Sequence, residues 1–240
     1  PQNSPHGQGM NPMLRNIWMV IHPPLLFLGY AFVTLPFASG LAYSITGSKK
    51  WTEVSFLWAR LAWLFLTLGI GIGALWAYIA LGWGGYWAWD PVEVGSLIPW
   101  ITLTAFLHTQ LMNKRKGQYW IITPFLGLLT LELVFFATFI TRSGLWESVH
   151  AWQETEVGVI LTITMVVIGV GSLILIARSI YLRSKDDEDF SIMPSLIESR
   201  NIDNLTMWAA IALFFVMTGL TILGLFVTLG KPHPIFYETR

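Results

Sequence analysis

The chain has 240 residues, of which 54% are hydrophobic, 15% aromatic and only 12% charged, with a mean hydropathy of +0.59. Soluble domains carry about 25% charged residues, so this composition excludes an ordinary soluble protein and points to a membrane protein. Fourteen basic residues balance fourteen acidic ones, which gives no case for nucleic-acid binding, and the absence of cysteine excludes disulfides, a thiolate nucleophile and thiolate metal ligands.

Residues 1–11 are polar, with Gly and Pro but no basic n-region, and read as a loop rather than a signal peptide. Because the sequence starts at Pro1, the chain is expected to be a fragment or a split subunit of something longer. A spanning helix needs about 20 mostly apolar residues. Six stretches qualify, at about 17–43, 55–81, 94–112, 119–140, 157–182 and 206–229. In the first, Pro23, Pro24 and Pro36 are expected to bend the helix or delay its regular part. In the second, Gly69, Gly71 and Gly73 are small residues that let a neighbouring helix approach closely. The expected fold is all-α, a single polytopic membrane domain over 1–240 with about six spans, itself part of a larger bundle.

The connections after spans one, three and five, with the adjoining span ends, hold ten Lys and Arg residues, against four on the other side. The basic side is cytoplasmic by the positive-inside rule. Both chain ends, the 82–93 connection and the 141–156 connection therefore face outward from the membrane. The acidic cluster at 186–189 reads as a solvated cytoplasmic loop.

The 82–93 connection reads Gly-Trp-Gly-Gly-Tyr-Trp-Ala-Trp-Asp-Pro-Val-Glu. Trp83, Tyr86, Trp87 and Trp89 fall within seven residues, Gly84 and Gly85 add no bulk between them, and no Lys or Arg interrupts. Stacking faces and bare backbone suit a large, flat, apolar ligand. An aromatic belt at the membrane surface is the plainer alternative. Asp90 and Glu93 most simply cap the third span, and Asp90 could also orient the neighbouring indole N–H groups.

His22, at the outer end of span one, and His150, in the other long outward connection, share a face with this platform. Either alone reads as a structural hydrogen-bonding residue. Together, on opposite faces of a planar ring system, two neutral imidazoles give a six-coordinate haem. Arg142 suits a clamp on haem propionates or an interfacial anchor. His108 lies about 15 residues beyond Glu93, roughly 22 Å along a helix, so it falls in the cytoplasmic half of span three. An ionisable group there is a functional candidate, and a neutral His bonded to a neighbouring helix is the alternative. Glu132 reads as a proton carrier or as a partner for Arg60 or another buried group. His6 and His233 lie in polar terminal segments and read as surface residues.

The run from Trp83 to Glu93 resembles the tryptophan-rich "WWD" signature of the haem-handling proteins of cytochrome c maturation. The flanks are similar to the CcmF type, the haem lyase subunit, over the CcmC or CcsA types. They are Gly9-Met10-Asn11-Pro12-Met13-Leu14 before His22-Pro23-Pro24-Leu25-Leu26, and Thr138-Phe139-Ile140-Thr141-Arg142-Ser143-Gly144 before Ser148-Val149-His150-Ala151. Val94-Gly95-Ser96 departs from the family's Asn-Ala-Ser, and Ala80 stands where a Glu is common.

The resemblance implies a cytochrome c-type biogenesis protein of the cytoplasmic (inner) membrane that attaches haem to an apocytochrome c bearing Cys-x-x-Cys-His. Its implied partners are a CcmE-like haem chaperone, CcmH-like maturation subunits and membrane lipid. It further implies that His22 and His150 hold the transferred haem and that His108 ligates a separate transmembrane b-type haem. The second ligand of that b haem has no match in this chain, so that site is incomplete as given. A haem transporter that exports haem or loads a chaperone without forming thioethers is the alternative.

Overall fold

The structure, a computed structural model, describes residues 12–48, 50–82, 84–117, 119–148, 150, 155–186 and 202–228. Among these the architecture is all-helical: α1 (Ile17–Thr46), α2 (Trp51–Trp76), α3 (Pro91–Lys116), α4 (Ile122–Arg142), α5 (Thr155–Asp186) and α6 (Ile202–Thr228). Four helices are long and apolar enough to cross a membrane, over Ile17–Thr46, Trp51–Leu81, Ile122–Arg142 and Glu156–Lys185. The central helix α3 is not among them. It carries Ser96, Thr102, Thr104, His108, Thr109 and Gln110, and most of these bond to backbone or neighbouring helices within the bundle.

Helix α1 starts where Asn16 caps it, accepting from the Trp18 N–H at 2.9 Å, and stops at Gly47, whose φ is +69°. It runs through Pro23, Pro24 and Pro36, so its regular part begins at Ile17 rather than after the prolines. Each proline leaves the carbonyl four residues earlier without its helical donor. Helix α2 ends in a widened π-type turn, Ala77–Leu81, a form that recurs at functional sites. Helix α3 opens with a capping box between Asp90 and Glu93 and closes at Gly117, with Lys114, Arg115 and Lys116 at the negative end of its dipole.

Helices α1, α2, α3 and α4 close a ring, α1 packing on α2 most extensively; α5 lies on α4 and touches α1, and α6 lies on α3. Leu66, Leu103, Phe106 and Leu126 fill its centre. In lipid, helices gain little from apolar burial alone, so close backbone approach and interhelical hydrogen bonds hold them together. A Cβ at Gly29 would lie 2.7 Å from Leu66 Cγ, and one at Gly69 would lie 2.7 Å from Leu26 Cγ. Gly71 faces open space and plays no such part. Between α2 and α3, Trp63 and Trp100 stack at 5.9 Å; the Trp63 indole donates to Thr104 at 2.9 Å and the Trp100 indole to Thr67 at 2.8 Å. Gln110 and Ser55 bond across the same interface, and Thr130 donates to Thr102 between α4 and α3. Such bonds contribute about 0.6–2 kcal/mol each.

Candidate functional site

Helix α1 brings His22, buried, against the end of α2. Its imidazole stacks on the indole of Trp76, with centroids 5.8 Å apart and planes 14° from parallel. The floor beneath it is Gly73, where a Cβ would lie 2.9 Å from His22 Nδ1. Neither ring nitrogen has a well-formed hydrogen bond among the described residues, although the backbone of Gly69 lies close enough to influence the ring.

His150 reaches the same indole from the other long connection, its ring edge-on to Trp76 at 5.5 Å. The segment that carries it is anchored by Trp146, which is buried against Phe136 and Phe139 and donates to the Leu225 carbonyl at 3.1 Å. Asp90 then fixes the end of that segment. Its Oδ2 accepts from Ser148 Oγ at 2.6 Å, from the Val92 N–H at 3.2 Å and from His150 Nδ1 at 3.2 Å. The Ser148 oxygen in turn accepts from the His150 backbone N–H at 3.0 Å.

Asp90 and Glu93 cap α3 as the sequence indicates, Glu93 Oε2 accepting from the N–H groups of Ala88 and Asp90 at 3.0 and 3.1 Å. Asp90 spends its remaining capacity on Ser148 and His150, and not on an indole: the Trp87 Nε1 is buried with no partner among the described residues. The chain enters α3 through Trp89, whose φ of +60° is left-handed, a conformation that costs a bulky residue about 1–3 kcal/mol.

A cavity of about 610 Å³ opens here, within the range of small-molecule sites. His22, Trp76, Trp87, Glu93, Arg142 and His150 all line it. Tyr86 and Trp89 do not; both are exposed, Trp89 at 65%, and Tyr86 stacks on Tyr78 at 4.5 Å. Trp83 lies outside the described residues, as do His6 and His233.

His108 does not line this cavity and is exposed, its Nδ1 2.8 Å from the Thr104 carbonyl. A carbonyl only accepts, so Nδ1 carries the proton and a neutral ring keeps its lone pair on Nε2. Glu132 points toward Gly169 of α5, with Oε1 buried and unpartnered among the described residues, while the Arg60 guanidinium lies over the Phe56 ring at 5.1 Å.

The donor set suits a metal already held in a flat macrocycle better than a bare ion. No group of three or more His, Cys, Asp or Glu gathers among the described residues, whereas a bare structural ion takes about four protein ligands. A porphyrin iron needs only two axial ones. His22, buried beside the cavity with neither ring nitrogen in a well-formed hydrogen bond among the described residues, fits that need. Trp76 is the residue that sequence reading missed. It lies three residues after Gly73 and seven after Gly69, on the same face of α2, and that spacing was the available signal.

The sequence model described as "Cytochrome C assembly protein" matches residues 1–150. The chain is 38% identical over 230 residues to the cytochrome c-type biogenesis protein CcmF of Haemophilus influenzae, a match covering 94% of this chain and 35% of that protein. It is 36% identical to the Escherichia coli CcmF over 200 residues, covering 82% and 31%. It is 42% identical to CycK of Bradyrhizobium diazoefficiens over 175 residues, covering 71% and 26%. A solved structure titled "Cytochrome c Heme Lyase CcmF" superposes with a TM-score of 0.70 at 30% identity, over 93% of this chain and 33% of that one. The chain spans about a third of the length of the curated relatives it matches.

Proposed function

The chain belongs to the cytochrome c assembly protein family, and from that premise we propose that it is part of a haem lyase that binds haem on the outer face of the cytoplasmic membrane and joins it to apocytochrome c. The observation that carries this reading is the meeting of His22 and His150 on one indole, Trp76, at the cavity that Trp87 and Arg142 also line. All six helices cross the membrane on this reading, α3 shielded by its neighbours. The excess of Lys and Arg after spans one, three and five puts the Trp-rich loop and both chain ends outside.

In this function haem is the substrate delivered by a CcmE-like chaperone. His22 and His150 hold its iron from opposite faces. Trp87 is the platform ring at the cavity, Trp83, Tyr86 and Trp89 are proposed to extend that platform on its outer side, with Gly84 and Gly85 leaving room, and Arg142 pairs with a propionate. The apocytochrome presents its two thiols, each of which adds S and H across one vinyl double bond, with no net redox change. The protein contributes orientation and exclusion of water. A lyase without cysteine of its own has no thiol to modify beside that vinyl-bearing ring. CcmH-like subunits are the partners for presenting the apocytochrome.

His108 is the residue with which this chain would hold a second, transmembrane b-type haem. Its exposed position and Nε2 lone pair suit a site completed by protein outside this chain. When bound, that haem would supply one-electron chemistry, and His108 would help to hold it in place.

The second reading, a haem transporter without lyase activity, uses the same platform. The reading as a haem protein is tested by purifying the chain from haem-replete membranes and measuring a pyridine haemochrome spectrum. Bound haem near one equivalent supports it, and a colourless protein refutes it. Thioether formation on a supplied apocytochrome then separates lyase from carrier.

A further inference from the structure

The two histidines are held in unequal ways. His150 Nδ1 meets a carboxylate oxygen, which only accepts, so Nδ1 bears the proton and Nε2 keeps the lone pair. That carboxylate is itself buried, 2% exposed, and its Oδ2 collects the Val92 amide, the Ser148 hydroxyl and the His150 ring. It cannot swing away without uncapping α3 and releasing the 143–150 segment. His22 has no such partner. Its ring is placed by stacking on Trp76 and by the bare floor of Gly73. A carboxylate behind an imidazole fixes its tautomer and raises its basicity as a ligand. The backbone of Gly69 lies near the His22 ring but makes no well-formed hydrogen bond to it, so His22 has no carboxylate partner of this kind.

Resting on the proposed ligation of haem by this pair, we propose that Asp90 is a positioning residue that makes His150 the firm axial ligand and leaves His22 as the exchangeable one. The incoming histidine of an apocytochrome then replaces His22, on the α1 side, while His150 keeps the haem in register against the platform. Asp90 closes the Trp-rich motif because one carboxylate joins that motif, the start of α3 and the ligand-bearing segment.

The test uses the full chain in its native membrane, then in detergent, with ferric haem as the probe. Asn caps helices as well as Asp does, so Asp90→Asn retains the start of α3. In the haem-free protein, ¹⁵N NMR of labelled histidine should show the His150 ring protonated at Nδ1 in the wild type and shifted toward Nε2 protonation in Asp90→Asn. Haem affinity should fall about 10–100-fold, the usual effect of losing such a partner. His22→Gly should retain haem better than His150→Gly. If Asp90→Asn does not accumulate, Asp90→Ser, another capping residue too short to reach the ring, gives the same readouts. An unchanged tautomer with affinity within about twofold of wild type makes Asp90 a helix cap only and overturns the proposal, as does better retention by His150→Gly. If neither histidine variant loses haem, the ligation reading itself has failed.

Discussion

The imidazole of His22 lies almost parallel to the indole of Trp76, 5.8 Å away, and the same indole meets His150 edge-on. One ring thus sets the positions of two residues from segments more than a hundred positions apart. Aromatic contacts of this kind contribute about 0.5–1.5 kcal/mol each. Trp76→Ala is therefore expected to lower haem affinity about tenfold or more, measured by haem titration of the purified chain. Trp76→Phe should lose less, since a smaller ring still contacts both. Equal affinity in Trp76→Ala and wild type would show that the indole positions neither histidine.

Glycines 71 and 73 give a matched pair of controls. A methyl group at Gly73 would sit 2.9 Å from His22 Nδ1, while one at Gly71 meets nothing within 4 Å. Gly73→Ala should displace His22 and reduce haem binding about tenfold or more, because small misplacements of a reacting or binding group are costly. Gly71→Ala should be silent in both haem content and accumulation. Similar behaviour of the two variants would remove the seat assigned to His22.

The aromatic platform is predicted to be graded. Trp87 lines the cavity and buries its N–H, whereas Trp89 and Tyr86 face outward. Losing a buried apolar ring costs about 1.5–3 kcal/mol, so Trp87→Ala should weaken haem binding more than Trp89→Ala, measured by haem dissociation rates. Trp89→Ala should register mainly in delivery to apocytochrome. Equal dissociation rates in the two variants would mean that haem reaches the outward rings as well.

Hydrophobic runs placed all six helices to within a few residues, since a stretch long enough to cross a bilayer is among the strongest signals a sequence carries. The prolines of α1 were the exception. Local backbone preference suggested a bend or a late start; the late start is not found, since packing against α2 and α4 supports a helix from Ile17 onward. At the cavity, His22, His150 and Arg142 were legible as lining residues because polar side chains are scarce next to a loop or span end, and Trp87 because it sits in the Trp-rich connection. The link from Asp90 to His150 was not legible. It spans sixty positions, and nothing in the sequence around Ser148 and His150 indicates that these two residues meet the start of α3. Trp76 was hidden in an apolar run where an indole looks like any other membrane residue. Asp90 was read first as a helix cap, which it is, and as a residue that could also orient the neighbouring indoles; among the described residues its side chain meets a serine and a histidine.

His108 supplies a prediction of a different kind. It is exposed and does not line the cavity, so His108→Ala should leave haem binding at the outer site unchanged in the 240-residue chain. In the assembly that completes the transmembrane site, the same variant should lose one b-type component, measured by difference spectra and redox titration. Full retention of that component would make His108 a lipid-facing packing residue.

The central claim is that His22 and His150 bind one iron. The most direct measurement is the electron paramagnetic resonance spectrum of the chain loaded with a single equivalent of ferric haem. Two axial imidazoles predict a low-spin signal that turns high-spin in His22→Gly and in His150→Gly and returns when imidazole is added to either. A high-spin wild-type signal, or a low-spin signal that survives both substitutions, would contradict the account.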